Sequence, residues 1–242
     1  MAKTQDKVYE FLNQIWEPAL KMAKKEAEEL QQMIIQDGHD FKLEPWDWWY
    51  YAERLKKEKY DLDEEMLRPY FKLENVIEGV FTVSNKLFGL EFVELNNIPV
   101  YHEEVKVFEV KDADGSHIGL LYTDYFPRES KRGGAWMSSF RSQSNLDGNM
   151  VTPLIVNVGN FSKPAGDKPA LLSFEEVNTL FHEFGHALHG LLSNVTYPSF
   201  SGTSVPRDFV ELPSQIMENW AAEPEVLKMF ARHYETGEVI PD

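Results

Sequence analysis

The chain of 242 residues contains 43% hydrophobic and 13% aromatic residues, which is enough apolar surface for a sizeable core and excludes a wholly disordered protein. Its formal net charge of −16 at pH 7 argues against nucleic acid and anionic membranes as partners, because like charges repel at long range. The chain has no cysteine, so disulfides and thiolate metal sites are excluded, and a transition metal would need His, Asp or Glu ligands.

The N-terminal segment has the pattern of an amphipathic helix. Apolar residues recur at helical spacing over 7–36, and Gly38 follows as a stop signal, so we predict one long helix that Pro18 can bend. This segment is too charged for a signal peptide, and no stretch of the chain has the run of apolar residues that a membrane span needs. We therefore expect a soluble, cytoplasmic protein.

Two further helices are predicted before residue 100. The first should begin at Pro45, since proline suits the first turn of a helix, and should end near the basic residue Lys56. Its aromatic density indicates core packing rather than a ligand site, and the residues concerned are Trp46, Trp48, Trp49, Tyr50 and Tyr51. The next helix is predicted over 73–87, with Gly89 as its stop.

The middle of the chain is rich in β-forming residues. Strands are predicted over 105–110 and 117–126, joined by turn residues at 112–115, and a third strand is predicted over 151–158. The polar, glycine-containing segment 129–149 is predicted to be a loop.

The last part of the chain is again helical in pattern. Ser173, with Glu176 three residues later, forms a capping-box signature for a helix. Another helix is predicted after Pro206, including 211–220, and a last one after Pro224.

These elements predict the fold class and the domain organisation. We expect a single α+β domain that is mainly helical, with a small antiparallel sheet packed among helices, because no internal repeat or linker divides the chain. It would have a helical part at 1–100, a β-rich part at 101–170 and a final set of helices at 171–242.

A metal-binding motif lies inside the predicted capped helix. His182, Glu183 and His186 form an H-E-x-x-H pattern, in which the two imidazoles lie one turn apart and can bind one zinc ion. Glu183 lies about 100° further round the helix, so it faces water beside the metal and suits a general base. A chance match would leave two ordinary exposed or core histidines, but the helical context favours a metal site.

Catalytic zinc usually takes three protein ligands, so one more ligand is needed downstream. The candidates are Asp208, Glu211 and Glu218. Glu211 and Glu218 are seven residues apart and would share a helical face, so one can bind the metal while the other orients a histidine.

Three other features have two interpretations each. Gly185, unfavourable inside a helix, permits either close approach of another backbone or ordinary packing. His189 either orients a ligand or packs at a helix end. Segment 133–137 is either an extended edge that a peptide substrate joins as a strand or a loop packed on the sheet.

Three segments resemble the thimet oligopeptidase family of zinc peptidases. They are TLFHEFGHALH at 179–189, SGT at 201–203 and DFVELPSQIMENW at 208–220. Segments 40–47 and 133–137 are most similar to the bacterial peptidyl-dipeptidase (dipeptidyl carboxypeptidase) branch, and the resemblance extends over nearly the whole chain.

The resemblance implies a zincin-like active-site helix and assigns roles to particular residues. It implies one Zn²⁺ held by His182, His186 and Glu211, with Glu183 as the base that activates water. Asp208 and Glu218 would then support the site from behind the ligands or serve the fold.

The implied function is zinc-dependent hydrolysis of short peptides, as a metallopeptidase that releases C-terminal dipeptides or cleaves internally as an oligoendopeptidase. Members of the family are longer than this chain, which is similar to their central segment, so we expect a partial catalytic domain. On its own it would be weakly active, and it would associate with the missing family segments or with itself through exposed apolar surface. The alternative is a non-catalytic zinc-binding fragment or paralogue.

Overall fold

The computed structural model describes residues 2–60 and 64–241. The chain divides into two compact units, Met1–Asp63 and Glu64–Asp242. The prediction that both belong to one catalytic domain stays a prediction. Among the described residues, no helix combines the length and the apolar character that crossing a membrane requires.

The first unit is a pair of helices, α1 (Gln5–Gln36) and α2 (Trp48–Tyr60). The Thr4 hydroxyl caps α1 by accepting a hydrogen bond from the Lys7 N–H, and Gly38 follows the helix with φ of 82°. That left-handed conformation costs glycine little, which explains the predicted stop. Pro18 lies inside α1.

The two helices of this unit share a small apolar core. Leu30, Met33 and Ile34 of α1 are buried together with Tyr51 of α2. The same pair is bridged by hydrogen bonds between Arg54 and Asp37 and by a second ion pair at its periphery. The remaining apolar side chains in the first half of α1 are exposed, and they supply the apolar surface that self-association would need.

The structure corrects the predicted second helix. α2 begins at Trp48 rather than Pro45, because the preceding residues form a turn in which the Asp47 carboxylate accepts a hydrogen bond from the Glu44 N–H. The expectation of core packing is wrong for most of the aromatic residues: Trp46 is 77% exposed, Trp49 is 81% exposed and Tyr50 is also exposed. The high density of aromatic residues therefore does not indicate which side of the helix is buried.

Over its described residues, 64–241, the second unit contains five further α-helices and one sheet. The helices are α3 (Glu64–Leu67), α4 (Leu73–Phe88), α5 (Phe174–Leu191), α6 (Leu212–Ala222) and α7 (Pro224–Phe230). The strands are β1 (Glu91–Glu94), β2 (Lys106–Lys111), β3 (His117–Asp124), β4 (Trp136–Arg141) and β5 (Leu154–Val158). The α+β, mainly helical class is confirmed.

The sheet is mixed rather than antiparallel as predicted. Its strand order is β1-β2-β3-β5-β4, and β3 runs parallel to β5 while the other neighbours are antiparallel. The β2–β3 hairpin confirms the predicted turn, in which the Gly115 N–H donates to the Asp112 carbonyl oxygen. β4 lies within the segment predicted as a loop, and β1 was not predicted. Both are edge strands, and their buried and exposed side chains do not alternate regularly along the sequence.

α5 is the central helix of this unit. Its N-terminus carries the predicted capping box, with Ser173 and Glu176 each accepting a hydrogen bond from the other's backbone N–H. Phe181 and Phe184 are fully buried in the core that α5 shares with its neighbours. Burying one such side chain contributes about 1.5–3 kcal/mol, so the helix is firmly held against the sheet.

Asp124 anchors the end of β3 through a buried cluster of charges. Its carboxylate accepts two hydrogen bonds from the Arg128 guanidinium, both at 2.8 Å, one from the Lys131 ammonium at 3.0 Å and one from the Tyr101 hydroxyl at 2.8 Å. Burial alone would raise the pKa of Asp124, but these hydrogen bonds outweigh burial and lower the pKa to about 2. The folded state therefore favours the ionised carboxylate.

Replacing Asp124 by asparagine should lower the free energy of unfolding by about 3 kcal/mol at pH 7, because the buried Lys131 ammonium and the partly buried Arg128 guanidinium would lose their partner. Since the pKa of Asp124 is depressed on folding, its stabilisation is complete above the ordinary value of 3.8 and is lost as pH falls towards 2. Urea unfolding at pH 7 and at pH 2.5 measures both effects. The difference between wild type and Asp124→Asn should shrink at the lower pH, whereas the exposed control Asp167→Asn should change little. A pH-independent difference would contradict this explanation.

Candidate metal centre

Three side chains from α5 and the start of α6 meet at one point. The His182 and His186 rings lie one turn apart, with centroids separated by 4.9 Å. The Glu211 Oε2 atom lies 3.3 Å from His182 Nε2 and 3.1 Å from His186 Nε2. One ligand atom from each of the three residues lies within 4.8 Å of the other two.

The donor set and spacing of this cluster fit a zinc ion. Two imidazole nitrogens and a carboxylate oxygen are the ligand types of hydrolytic zinc sites. Ligands about 2.0–2.1 Å from a tetrahedral ion lie about 3.3 Å from one another. The two measured nitrogen–oxygen distances agree with that edge length, so these residues can hold one divalent metal ion.

Glu211 is placed by the beginning of α6. Glu211 is the residue immediately before α6, so the prediction that it lies inside the helix is wrong by one residue. Pro213 lies in the first turn of α6, where a missing N–H costs nothing. The Ser214 hydroxyl donates to Glu211 Oε2 at 2.8 Å. This hydrogen bond, followed by the charges of His186 and His182, lowers the pKa of Glu211 and keeps the carboxylate ionised.

Glu218 lies behind His182 rather than in the ligand cluster. Its Oε1 is 2.5 Å from His182 Nδ1, and its Oε2 accepts a hydrogen bond from Asn178 Nδ2 at 3.3 Å. An Nδ1–H that donates to Glu218 leaves the Nε2 lone pair of His182 facing Glu211. Asp208, the third sequence candidate, is not among the three clustered residues.

His186 is more enclosed than His182. Burial lowers the pKa of His186, which favours the neutral imidazole that binds metals. Its Nδ1 atom is buried and has no hydrogen-bond partner within the part of the chain that the structure describes. His189, one turn further on, packs against the Phe209 ring and lines an apolar cavity of about 530 Å³, in agreement with the packing interpretation.

Glu183 lies beside the cluster without being one of its three members. Burial raises the pKa of its carboxyl group and the charge of Glu211 adds to this effect, while His182 and the Met137 N–H oppose it. Its Oε2 atom is buried and unpartnered among the described residues. A carboxyl group with a raised pKa and a free oxygen suits reversible proton transfer.

Gly185 permits the close approach of α6 to α5. A Cβ atom on Gly185 would lie 2.6 Å from the Pro213 carbonyl oxygen and 2.6 Å from Ser214 Cα. The interpretation that another backbone approaches this glycine is confirmed. The contact matters for the cluster because Pro213 and Ser214 lie only two and three residues after Glu211.

Sequence reasoning did not single out Ser214 or Asn178. Both are uncharged polar residues. The contact of Asn178 with Glu218 depends on the packing of α6 against α5, whereas the contact of Ser214 with Glu211 lies within one short segment. The available signal was the position of Ser214 three residues after Glu211, a spacing that places neighbours on one helical face.

A family model and several known proteins match this chain. Residues 1–242 match the family model described as Peptidase family M3. The chain is 49% identical to dipeptidyl carboxypeptidase of Escherichia coli over 243 residues, covering 100% of this chain and 35% of that protein. It is 40% identical to oligopeptidase A of Escherichia coli over 243 residues, covering 100% of this chain and 36% of that protein.

A eukaryotic relative matches the same region. The chain is 35% identical to saccharolysin of Saccharomyces cerevisiae over 257 residues, covering 100% of this chain and 36% of that protein. The chain thus spans about a third of the length of the curated relatives it matches. Because the family model extends over every residue and the relatives align over the full chain, the chain belongs to peptidase family M3, as its resemblance to the thimet oligopeptidase family predicted.

Proposed function

We propose that this chain forms the zinc-binding core of a metallopeptidase that hydrolyses short peptides. The proposal rests above all on the convergence of His182 Nε2 and His186 Nε2 on Glu211 Oε2. Membership of a peptidase family supports it. The proposed cofactor is one Zn²⁺ held by these three residues.

Each side chain of the site has a separate task in this proposal. Glu218 holds the His182 ring so that Nε2 faces the metal position, and Ser214 holds the Glu211 carboxylate. A bound zinc ion would polarise the scissile carbonyl group and lower the pKa of water. Glu183 accepts the proton of the attacking water and passes it to the leaving amine.

The edge strand β4 is the proposed binding surface for the peptide backbone. β4 pairs with β5 on one side and lies at the end of the strand order, so its other side can accept an added strand. It packs beside α5, and its residue Met137 has its N–H close to the Glu183 carboxyl group. Recognition through the backbone suits unstructured oligopeptides of varied sequence.

Two modes of cleavage are open, and we favour release of C-terminal dipeptides. The higher identity to a protein named dipeptidyl carboxypeptidase supports this mode over internal cleavage. The alternative function is a non-catalytic zinc-binding module, which would bind the metal equally well. The cytoplasmic location and the association through apolar surface stay predictions.

Hydrolysis of a quenched fluorescent peptide tests the proposal. Cleavage by the purified chain should disappear with a chelator and return with zinc, and mass spectrometry of the products should show released C-terminal dipeptides. A second arm replaces the matching third of Escherichia coli dipeptidyl carboxypeptidase with this chain. A folded, zinc-loaded chimera without activity, together with an inactive isolated chain, would support the non-catalytic alternative.

A further inference from the structure

α5 packs closely against the strand β5 at Gly190. A Cβ atom on Gly190 of α5 would lie 2.7 Å from the Ile155 Cδ1 atom of β5. Ile155 and Asn157 are two residues apart and so face the same side of the strand. The side of β5 that approaches the metal-site helix therefore carries one apolar contact and one amide.

The Asn157 side-chain amide is fully buried, and both its nitrogen and its oxygen form hydrogen bonds. Its side chain is 0% exposed. Asn157 Nδ2 donates to the backbone carbonyl oxygen of Glu183 at 2.7 Å, and Asn157 Oδ1 accepts a hydrogen bond from the Tyr125 hydroxyl at 3.0 Å. A carbonyl oxygen can only accept, so the nitrogen of the amide must face Glu183. A buried amide costs free energy unless it is paired, and here both partners are present.

The bond to Glu183 does more than complete the helix. A carbonyl group in a helix interior already accepts the N–H four residues further on, so this carbonyl oxygen does not need Asn157 for its pairing. What the bond adds is a fixed distance between β5 and α5 at Glu183. Along one edge of β5, Asn157 also pairs in register with Met137 of β4, the strand proposed to bind the peptide.

We propose that Asn157, held by Tyr125, is a positioning residue that fixes Glu183 relative to the peptide-binding edge of the sheet. The inference rests on the proposed function, because it concerns the residue assigned as general base. The metal ligands have separate supports, since Glu218 holds His182 and Ser214 holds Glu211. Loss of the Asn157 amide should therefore displace the base more than it disturbs the metal site.

The test compares Asn157→Ala and Tyr125→Phe with the control Asn85→Ala in the zinc-loaded chain. Asn85 Nδ2 also donates to a backbone carbonyl oxygen, that of Leu90 at 3.0 Å, but this hydrogen bond joins the end of α4 to the residues that follow it and involves no residue of α5 or of the cluster. Asn157→Ala should lower kcat about 10–100-fold, because small misplacements of reacting groups are costly. KM and the Kd for zinc should change less than about threefold. Tyr125→Phe, which keeps the ring volume, should lower kcat about 2–10-fold, as expected for one hydrogen bond.

Hydrogen–deuterium exchange provides a readout that does not need activity. Amide exchange in the 183–190 part of α5 should become faster in Asn157→Ala and Tyr125→Phe but not in Asn85→Ala. Unchanged exchange there, unchanged kcat in both variants, or a parallel loss of kcat and zinc affinity would each overturn the positioning role. If Asn157→Ala fails to fold, the kcat and the amide exchange of Tyr125→Phe decide whether the positioning role holds. If neither the wild-type chain nor the chimera cleaved peptides in a zinc-dependent way, the proposed function would be refuted instead, and the exchange data would still decide the anchoring of α5.

Discussion

Glu183→Gln is expected to keep zinc binding and to lower peptide hydrolysis by about 10²–10⁴-fold, the usual contribution of a general acid–base group. Glutamine has nearly the same shape, but it cannot accept a proton from water. Glu183 lies outside the cluster of His182, His186 and Glu211, so its neutralisation removes no ligand. Kinetics with a quenched fluorescent peptide measure the rate of hydrolysis, and metal analysis of the same preparation measures the zinc content.

The control for this prediction is Glu175→Gln, which changes a carboxylate in the first turn of the same helix. It should change turnover little, because Glu175 does not belong to the cluster. If Glu183→Gln lost zinc together with activity, Glu183 would be a ligand and its assignment as the base would be wrong.

Gly185→Ala is expected to lower zinc affinity about 10–100-fold and the free energy of unfolding by about 1–3 kcal/mol. The added methyl group would meet backbone atoms of Pro213 and Ser214 at 2.6 Å, so the start of α6 must move away from α5. Glu211 precedes that point and would move with it. If Gly185 were there only through ordinary packing, alanine would stabilise the helix by about 1 kcal/mol. Close backbone approach and ordinary packing therefore predict opposite signs for the change in the free energy of unfolding.

A second helical glycine provides a matched control. Gly79→Ala in α4 also creates a close contact, at 2.6 Å, but with the Phe230 side chain rather than with backbone near the cluster. It should lower stability without lowering zinc affinity. Zinc titration against a competing chelator and urea unfolding separate the two variants. A stabilised Gly185→Ala protein with unchanged zinc affinity would disprove the role assigned to this contact.

Local signals in the sequence predicted much of the helical structure. The capping box of Ser173 and Glu176, the stop at Gly89 and the proline at the start of α7 all mark element ends through interactions within a few residues. The sheet was harder to predict. The parallel pairing of β3 with β5 joins segments separated by a long connection. β4 is an edge strand whose last four residues are exposed, so it lacks a regular alternation of buried and exposed side chains.

In the candidate site, too, local spacing was predictable and contacts between distant segments were not. Spacing alone predicted the pairing of His182 with His186, because residues four apart share a helical face. Spacing could not choose between Glu211 and Glu218, which would occupy the same face of one helix. The structure separates them, since Glu211 lies before α6 and faces both Nε2 atoms while Glu218 reaches His182 Nδ1. Asn157 gave no signal, because its importance depends on the packing of α5 against β5.

If His182, His186 and Glu211 hold one zinc ion, His186→Ala should lose most of its metal. Wild-type protein should contain close to one zinc per chain after dialysis, and His186→Ala should contain far less. His189→Ala is the matched control, since His189 lies on the same helix and also has a buried Nδ1 without a partner in the described part of the chain. It should retain the wild-type zinc content. Equal zinc in wild type and His186→Ala would show that His186 is not a zinc ligand.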